Sequence, residues 1–598
     1  MKKIRTILLG IGIIAALLYG LARMATPPTE PTAAEHDTSP KPPAEYPADL
    51  EQKLRSVPHI HISLHREEEL PADIVWVQPG DFPEIGSDKA KKGGTLRLCN
   101  VGPYPANFLA FGSPSPQFFH YNLFDCIEVP LVRTHPDTGE EIPGLAEQWA
   151  EHDGKLWFRL NSKARYSNGR PVRARDFALY LCMQHELGNV APSHRISSLE
   201  VYGDSVLAVR TSQCAVIPFA TAAAHLHPAE PGFYKEFGSD YRTRYAHRIP
   251  PTTGAYTVGR IQRGRMLSFE RNKNWWAAEL RGFRYTCNID TIEHHFLTDE
   301  AQAWEFFLRG KLDIMQTRNI VAWQDYLRQA DANIAQHRID LMYPMPPYGI
   351  ALNAVALPDI QLRQGVMHAM DMQHAMNIIF RGDVERLPQF STGYHHLPHR
   401  TPHYTYSPEK ARAAFTAAGY TESGPDGILR KKDGTKLSIR LAFSPSQKIS
   451  TLVNLLSQSA AACGLEIIPE PLPWQHCAKL IKEERHEMLF WATVATSPIP
   501  DYRRHFHSEA KGDDAPFCLR NEMMDTAIAT VESAANAAET KQACAEVDLL
   551  IHSLAIWLPG WMENKANVAA WPHVHFPRTG YRTYDVADSH VLWISSEK

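Results

Sequence analysis

Little in this 598-residue chain points to catalysis or to a charged polymer as partner. No GxSxG elbow, HExxH pair, Walker loop or EF-hand loop occurs, and the carboxylates form no motif that pairs a general acid with a base. Beyond the N-terminus there is no dense run of Lys or Arg. The 62 basic and 66 acidic side chains leave a formal charge of −4, which disfavours a nucleic-acid surface. Cysteine is sparse and scattered: nine residues, the closest pair fourteen positions apart and no CxxC, so no dense disulfide framework is encoded and the thiols read as buried small hydrophobes.

What is present begins with an export signal. Met1–Ala25 has a basic start followed by apolar residues from about Ile7 to Ala22, the pattern of a signal peptide or a short signal anchor. Gly20-Leu21-Ala22 offers small residues at the spacing of a cleavage site, whereas Arg23 after a 16-residue apolar core suits an uncleaved anchor, and both readings stand. Residues 26–58 are rich in Pro, Thr, Ala and Glu, a composition that favours extended chain and reads as a spacer. The protein is therefore expected to be periplasmic or otherwise extracytoplasmic, tethered to the inner membrane only if the N-terminal segment stays uncleaved. The remaining length, with 44% apolar residues overall, is enough for two or three packed lobes.

Local punctuation is legible along that body. Leu156, Phe158 and Leu160 alternate with Trp157 and Arg159, which predicts a half-buried strand leaving a turn at Asp153-Gly154. Asn168-Gly169 and Pro171 predict a second turn, after which Phe177, Leu179, Tyr180 and Leu181 begin an apolar helix face. Two alternating runs flank Arg263-Gly264 and predict an antiparallel hairpin. Ala303, Phe306, Phe307 and Leu312 predict an amphipathic helix closed by Gly310, with Asp313 leading into a strand rather than serving as an acid. Arg363 and Asp371, eight apart, are expected on one helical face.

Residues in this order resemble a known family. The segment PGLAEQW from Pro143, the acidic-Gly turn and SNGRPVRARDF up to Phe177 carry the resemblance first, with Gly93-Gly94-Thr95-Leu96 before them. Gly254 and Tyr256 with Phe269, Arg271, Asn272, Trp275 and Trp276 continue it, as do Tyr348–Asn353, Arg363, Asp371 and Pro408-Glu409-Lys410-Ala411. Together, over about residues 80–598, they are similar to family 5 extracellular solute-binding proteins, the oligopeptide, dipeptide and nickel receptors of ABC importers.

The resemblance implies an α/β fold of the type II periplasmic binding protein class, two-lobed with three subdomains, mixed sheets, flanking helices and an interlobe cleft. It implies an N-terminal lobe at 80–347 with an inserted subdomain at about 113–250, a C-terminal lobe at 348–558, and a return at 559–598. It implies a receptor for oligopeptides or peptide-like solutes, serving permease and ATPase subunits on separate chains, without catalysis or cofactor. Asn107 and Phe108 then enter the cleft from one side, and Trp491, Thr493, Thr496 and Ser497 from the segment His486–Ser508 on the other. Phe108 and Trp491 are expected as apolar walls and the hydroxyls as hydrogen-bonding groups. Thr496 stands where the resemblance implies an aspartate that pairs with a peptide's free ammonium, which puts recognition of a free amino terminus in doubt. The Ser/Thr-Pro-rich stretch there is similar to the branch named for the Yej importer.

Two alternatives stay open: a nickel or metal-chelate receptor of the same fold, and a membrane-anchored sensor or chaperone without a transport role. The first is raised by 29 histidines, clustered at His59-x-His61, His294-His295, His395-His396-x-x-His399 and His505-x-His507. Such pairs can share an ion but more often pack or face solvent, so no metal site is assigned.

Overall fold

The computed structural model describes residues 39–598 except 58–59, 103, 106, 110–127, 187–195, 212–217, 224–225, 318–319, 329–332, 341–346, 395–396, 398–400, 494–498, 513, 535–536, 564, 579–589 and 596–598. Four larger sheets carry this part of the chain. The first has the strand order His61–His65, Ile196–Tyr202, Val206–Thr211, Lys155–Leu160, Ala146–His152. The second has the order Thr95–Val101, Thr291–Leu297, Met266–Arg271, Tyr256–Gln262, and its last two strands are the hairpin turning at Arg263-Gly264.

The strand Lys155–Leu160 starts at the Asp153-Gly154 turn as its sequence predicts, but it is buried on both faces rather than one. Phe158 is fully buried in the main core, and Trp157 packs on the opposite face with Ile74, Tyr202 and Val206. The cover for that second face comes from residues some eighty positions upstream, which alternation along the strand does not reveal.

The spacer is shorter than its composition suggests. Leu50–Arg55 forms a helix that buries Leu50 and Leu54, an i, i+4 pair, with Val57 buried just beyond. Upstream, the Tyr46 hydroxyl donates to Asp176 Oδ1 at 2.7 Å and Lys41 N–H to the Gly169 carbonyl at 3.1 Å. Chain from residue 39 onward is thus docked on the helix Ala174–Glu186 and the turn before it.

Three further strands, Ile314–Thr317, Lys565–Ala570 and Ala335–Asp340, form a sheet whose middle member is the late strand Lys565–Ala570. Asp313 enters it as expected. The carboxylate is fully buried and accepts from Arg97 N–H at 2.7 Å, Arg97 Nε at 3.0 Å, Arg97 Nη2 at 2.6 Å and His573 Nε2 at 2.9 Å. It is a structural knot between the early strand Thr95–Val101 and the C-terminal return.

The fourth sheet has the order Glu466–Pro471, Ser438–Phe443, Met488–Ala492, Tyr348–Leu352, Trp557–Pro559. Its helices start where capping chemistry says they should. Ser407 caps Pro408–Ala417, and Ser446 caps Gln447–Ala462 by accepting from Ile449 N–H. Arg363 and Asp371 do not share a helix: Ile360–Ala369 stops short, and Asp371 caps the next helix, Met372–Phe380. The edge strand Glu466–Pro471 donates inward from Glu466 N–H to the Leu437 carbonyl, and Leu472 N–H donates to the Phe443 carbonyl. Alternation then turns the backbone nitrogens of 467, 469 and 471 outward, and two of these belong to Pro469 and Pro471, which have no hydrogen to offer.

Candidate ligand-binding site

The chain passes twice between the three-stranded and the fourth sheet, from Asp340 to Tyr348 and from Pro559 to Lys565. Asp340 lies opposite Lys565 in one sheet, and Gly349 opposite Pro559 in the other, so both passages leave from matching ends. The strands approach closely: a Cβ on Gly349 would stand 2.4 Å from Trp557 Nε1, and one on Gly560 would stand 2.7 Å from the Tyr348 carbonyl oxygen. Tyr348 and Trp561 stack with ring centroids 5.3 Å apart, extended by Phe490 at 5.6 Å from Trp561.

Ala492, the last residue of Met488–Ala492, lies opposite Tyr348, so the chain leaves this strand at the same passage end. Thr493 is the next residue and is 8% exposed. Its Oγ1 lies 2.9 Å from Nε2 of His505, whose Nδ1 lies 2.6 Å from the Asp514 carbonyl oxygen. His505 sits on the short helix Tyr502–Phe506, started by the Asp501 side chain accepting from Arg504 N–H. Burial lowers the imidazole below its ordinary pKa, so it is neutral near pH 7.

Trp491 lies one strand period away from that hydroxyl in the packed interior. It is 2% exposed, stacked on Phe390 at 6.4 Å, with His505 edge-on at 5.0 Å and Phe517 at 5.6 Å. Phe108 is buried too: its N–H donates to the Ala246 carbonyl at 2.7 Å and its ring stands edge-on to His247 at 6.5 Å. Both rings pack inside the core here, where alternation and hydrophobicity alone could not distinguish a wall from a filling. Asn107 is half-buried and turns its Oδ1 back to Leu109 N–H at 3.2 Å. Thr496 and Ser497 lie outside the described residues.

The residues on either side of Phe390, the ring stacked on Trp491, belong to a polar cluster that sequence reasoning missed. Asp548, 2% exposed, accepts from Gln389 Nε2 at 2.9 Å, from Ser391 N–H at 3.3 Å and from the Ser391 hydroxyl. Burial pushes this carboxyl up to about 7 against the pull of those bonds. Arg386 donates to the carbonyls of Pro559 at 3.1 Å and Tyr404 at 2.7 Å, its buried Nη2 has no hydrogen-bond partner among the described residues, and desolvation pushes the guanidinium down to about 10. His505 was visible in the sequence as half of a histidine pair; nothing there marked its tie to Thr493. Among the described residues no group of three or more His, Cys, Asp or Glu side chains is arranged to hold a metal ion.

The model for bacterial extracellular solute-binding proteins, family 5 Middle, matches residues 140–513. The chain belongs to this family. Among relatives, the family 5 protein is 22% identical over 363 residues to the peptidoglycan-binding protein YepA of Agrobacterium fabrum, covering 55% of this chain and 56% of YepA. It is 25% identical over 253 residues to YejA of Escherichia coli, covering 39% and 38%. The chain spans about half the length of the first curated relatives it matches. Among solved structures, the oligopeptide-binding protein AppA of Bacillus subtilis, in complex with a nonapeptide, superposes with a TM-score of 0.66 at 16% identity, covering 85% of this chain and all of AppA. The α/β fold is therefore that of the type II periplasmic binding proteins.

Proposed function

We propose that this family 5 protein is the extracytoplasmic receptor of an ABC importer, taking oligopeptides or peptide-like solutes into an interlobe cleft and presenting them to a permease and ATPase on separate chains. The observation that carries this reading is membership of a solute-binding family, joined to a strand, Met488–Ala492, that hands over to Thr493 where the chain passes between two sheets. In this scheme one lobe comprises about residues 80–347 with 559–598, and the other 348–558. Closure around the ligand follows from greater contact in the shut state. Asn107, Thr493, Thr496 and Ser497 supply polar contacts, with Phe108 and Trp491 as the packed support behind them. A relative named for peptidoglycan binding supports peptide-like solutes whose amino end is not a free ammonium, in keeping with Thr496 at a position where an acid would serve one.

Native mass spectrometry of the body from residue 39, followed by denaturation, tests the reading. A family of peptide masses released from the protein is the expected result. A single metal-chelate mass would replace it with the chelate alternative, and an empty protein that a peptide library fails to stabilise against heat would refute peptide binding.

A further inference from the structure

The helix Met372–Phe380 ends in two consecutive left-handed residues, Arg381 at φ 51° and Gly382 at φ 79°. Glycine takes that conformation freely and arginine does not. The helix end is held by Phe380, 3% exposed and packed on Trp561 with ring centroids 4.9 Å apart. From this turn two residues reach chain that precedes Tyr348. Arg338, on the strand Ala335–Asp340, places Nη1 2.5 Å from Asp383 Oδ1 and donates from Nη2 to the Asp383 carbonyl at 3.3 Å. Arg381 Nη1 donates to Gln324 Oε1 on the helix Ile320–Leu327.

These contacts lie on one flank of the two passages and the candidate site on the other. In the fourth sheet, Met488–Ala492, which hands over to Thr493, and Trp557–Pro559 flank Tyr348–Leu352 on opposite sides. Residues 381–390 round the second flank. Phe380 packs with Ile350 and Leu558 in the core on one face of this sheet, Leu387 and Phe390 with Ala351 and Trp557 in the core on the other. Between them Arg386 Nε and Leu387 N–H donate to the carbonyls of Pro559 and Gly560 at 3.1 and 2.8 Å. In the three-stranded sheet, Ala335–Asp340 is one edge. Ile314–Thr317 is the other, and Asp313 just before it is tied to the strand Thr95–Val101 that leads toward Asn107. The further ion pair Lys448–Glu563 sits on the second passage itself, near the axis of any turn.

We propose that Gln324 and Arg338, with Arg381 and Asp383, form a clasp behind the hinge that is made in the arrangement described and parts when the cleft narrows. This rests on the two-lobed receptor reading above. Lobes that turn about the two passages approach on one flank as they separate on the other, so closing the site pulls the clasp open. The clasp thereby lowers the share of ligand-free protein that is already closed, and the apparent affinity falls with that share. Its four residues tune binding without touching the ligand.

The test uses the whole exported protein and two readouts: the radius of gyration of the ligand-free form by small-angle X-ray scattering, and calorimetric titration with amino-terminally acetylated tetraalanine. Joint Arg338→Ala and Arg381→Ala should give a smaller radius and about 3–10-fold tighter binding, the effect of one exposed ion pair and one side-chain hydrogen bond. Joint Arg338→Asp and Asp383→Arg, which remakes the pair in reverse, should return both readouts toward the unmodified protein. Arg309→Ala, which removes an exposed pair with Glu305 inside one helix and its flank, should change neither. An unchanged or larger radius in the joint alanine variant, or binding that is not tightened, overturns the inference and leaves the receptor reading intact. If the unmodified protein ignores the acetylated peptide, the peptide reading falls, and the radius alone still decides the clasp.

Discussion

Replacing Asp313 by Asn should show how strongly the C-terminal return is tied to the early strand Thr95–Val101. The carboxylate is 0% exposed and takes four donors, two on each oxygen. An asparagine retains one oxygen and turns an NH2 group toward the other two donors, so two charge-assisted bonds are lost and donor faces donor. Each such bond contributes about 1.5–3 kcal/mol. Because Arg97 is 23% exposed and water can reach it, the lower part of the range applies, giving a loss of about 3–4 kcal/mol. Urea denaturation followed by tryptophan fluorescence reads the loss. Amide exchange should accelerate specifically in Thr95–Val101 and Lys565–Ala570, since those strands flank the knot. Joint replacement of Arg97 by Met and Asp313 by Leu should recover to within about 1 kcal/mol of the unmodified protein, as paired apolar groups leave nothing unsatisfied. A cost below about 0.5 kcal/mol for the single substitution, with exchange unchanged in both strands, would refute the account.

Asp176 is 1% exposed and burial pushes it up to about 7, so the folded state holds its proton more tightly than the unfolded chain, whose aspartates titrate near 4. Stability should therefore fall as pH rises from about 4 to about 7, by at most roughly 4 kcal/mol from this group, and stay level above. Asp176→Asn, whose NH2 can donate to the Tyr46 hydroxyl oxygen, should flatten that part of a melting-temperature profile; an unchanged slope would count against a buried titrating Asp176. Trp491→Ala should cost about 3–5 kcal/mol in denaturant titration, as expected for emptying a packed aromatic site. Trp491→Phe should bind amino-terminally acetylated tetraalanine within about twofold of the unmodified protein if the ring is support and not wall. Joint replacement of Pro469 and Pro471 by Thr restores two outward N–H donors and should yield dimers or larger species by light scattering, while a strictly monomeric variant would show that the edge is guarded otherwise.

The sequence was most legible where structure is local. The hairpin at Arg263-Gly264, the helix Glu300–Leu308 ahead of Gly310, and the Asp313 entry into a strand depend on neighbours a few residues away, and each lies where its pattern predicts. Legibility ended where distant chain supplies the environment. Lys155–Leu160 reads as half-buried because Ile74 is invisible from it, and Leu50–Arg55 reads as spacer because its apolar pair is diluted by flanking prolines. The Arg363–Asp371 spacing suggested one helix, but Met370 takes extended dihedrals of φ −95° and ψ 109° and breaks it. At the site, Thr493 was named from its place on a strand. Its hydroxyl meets His505, twelve residues on, whose other ring nitrogen meets a carbonyl nine further, a pairing that no one-dimensional pattern encodes.

The sheet made by Ile314–Thr317, Lys565–Ala570 and Ala335–Asp340 also sets a schedule. Its outer strands emerge some 230 or more residues before the middle one that must separate them, so neither can find its partner while the chain is being made or threaded outward. Until Lys565–Ala570 arrives, Ile314, Met315 and Ile339 have no sheet to bury them, and Asp313 waits for His573. A chain stopped short of residue 565 is therefore not a smaller version of this fold but an open one, with an apolar slot bounded by two unpaired strand edges, the kind of surface that chaperones hold and proteases clear.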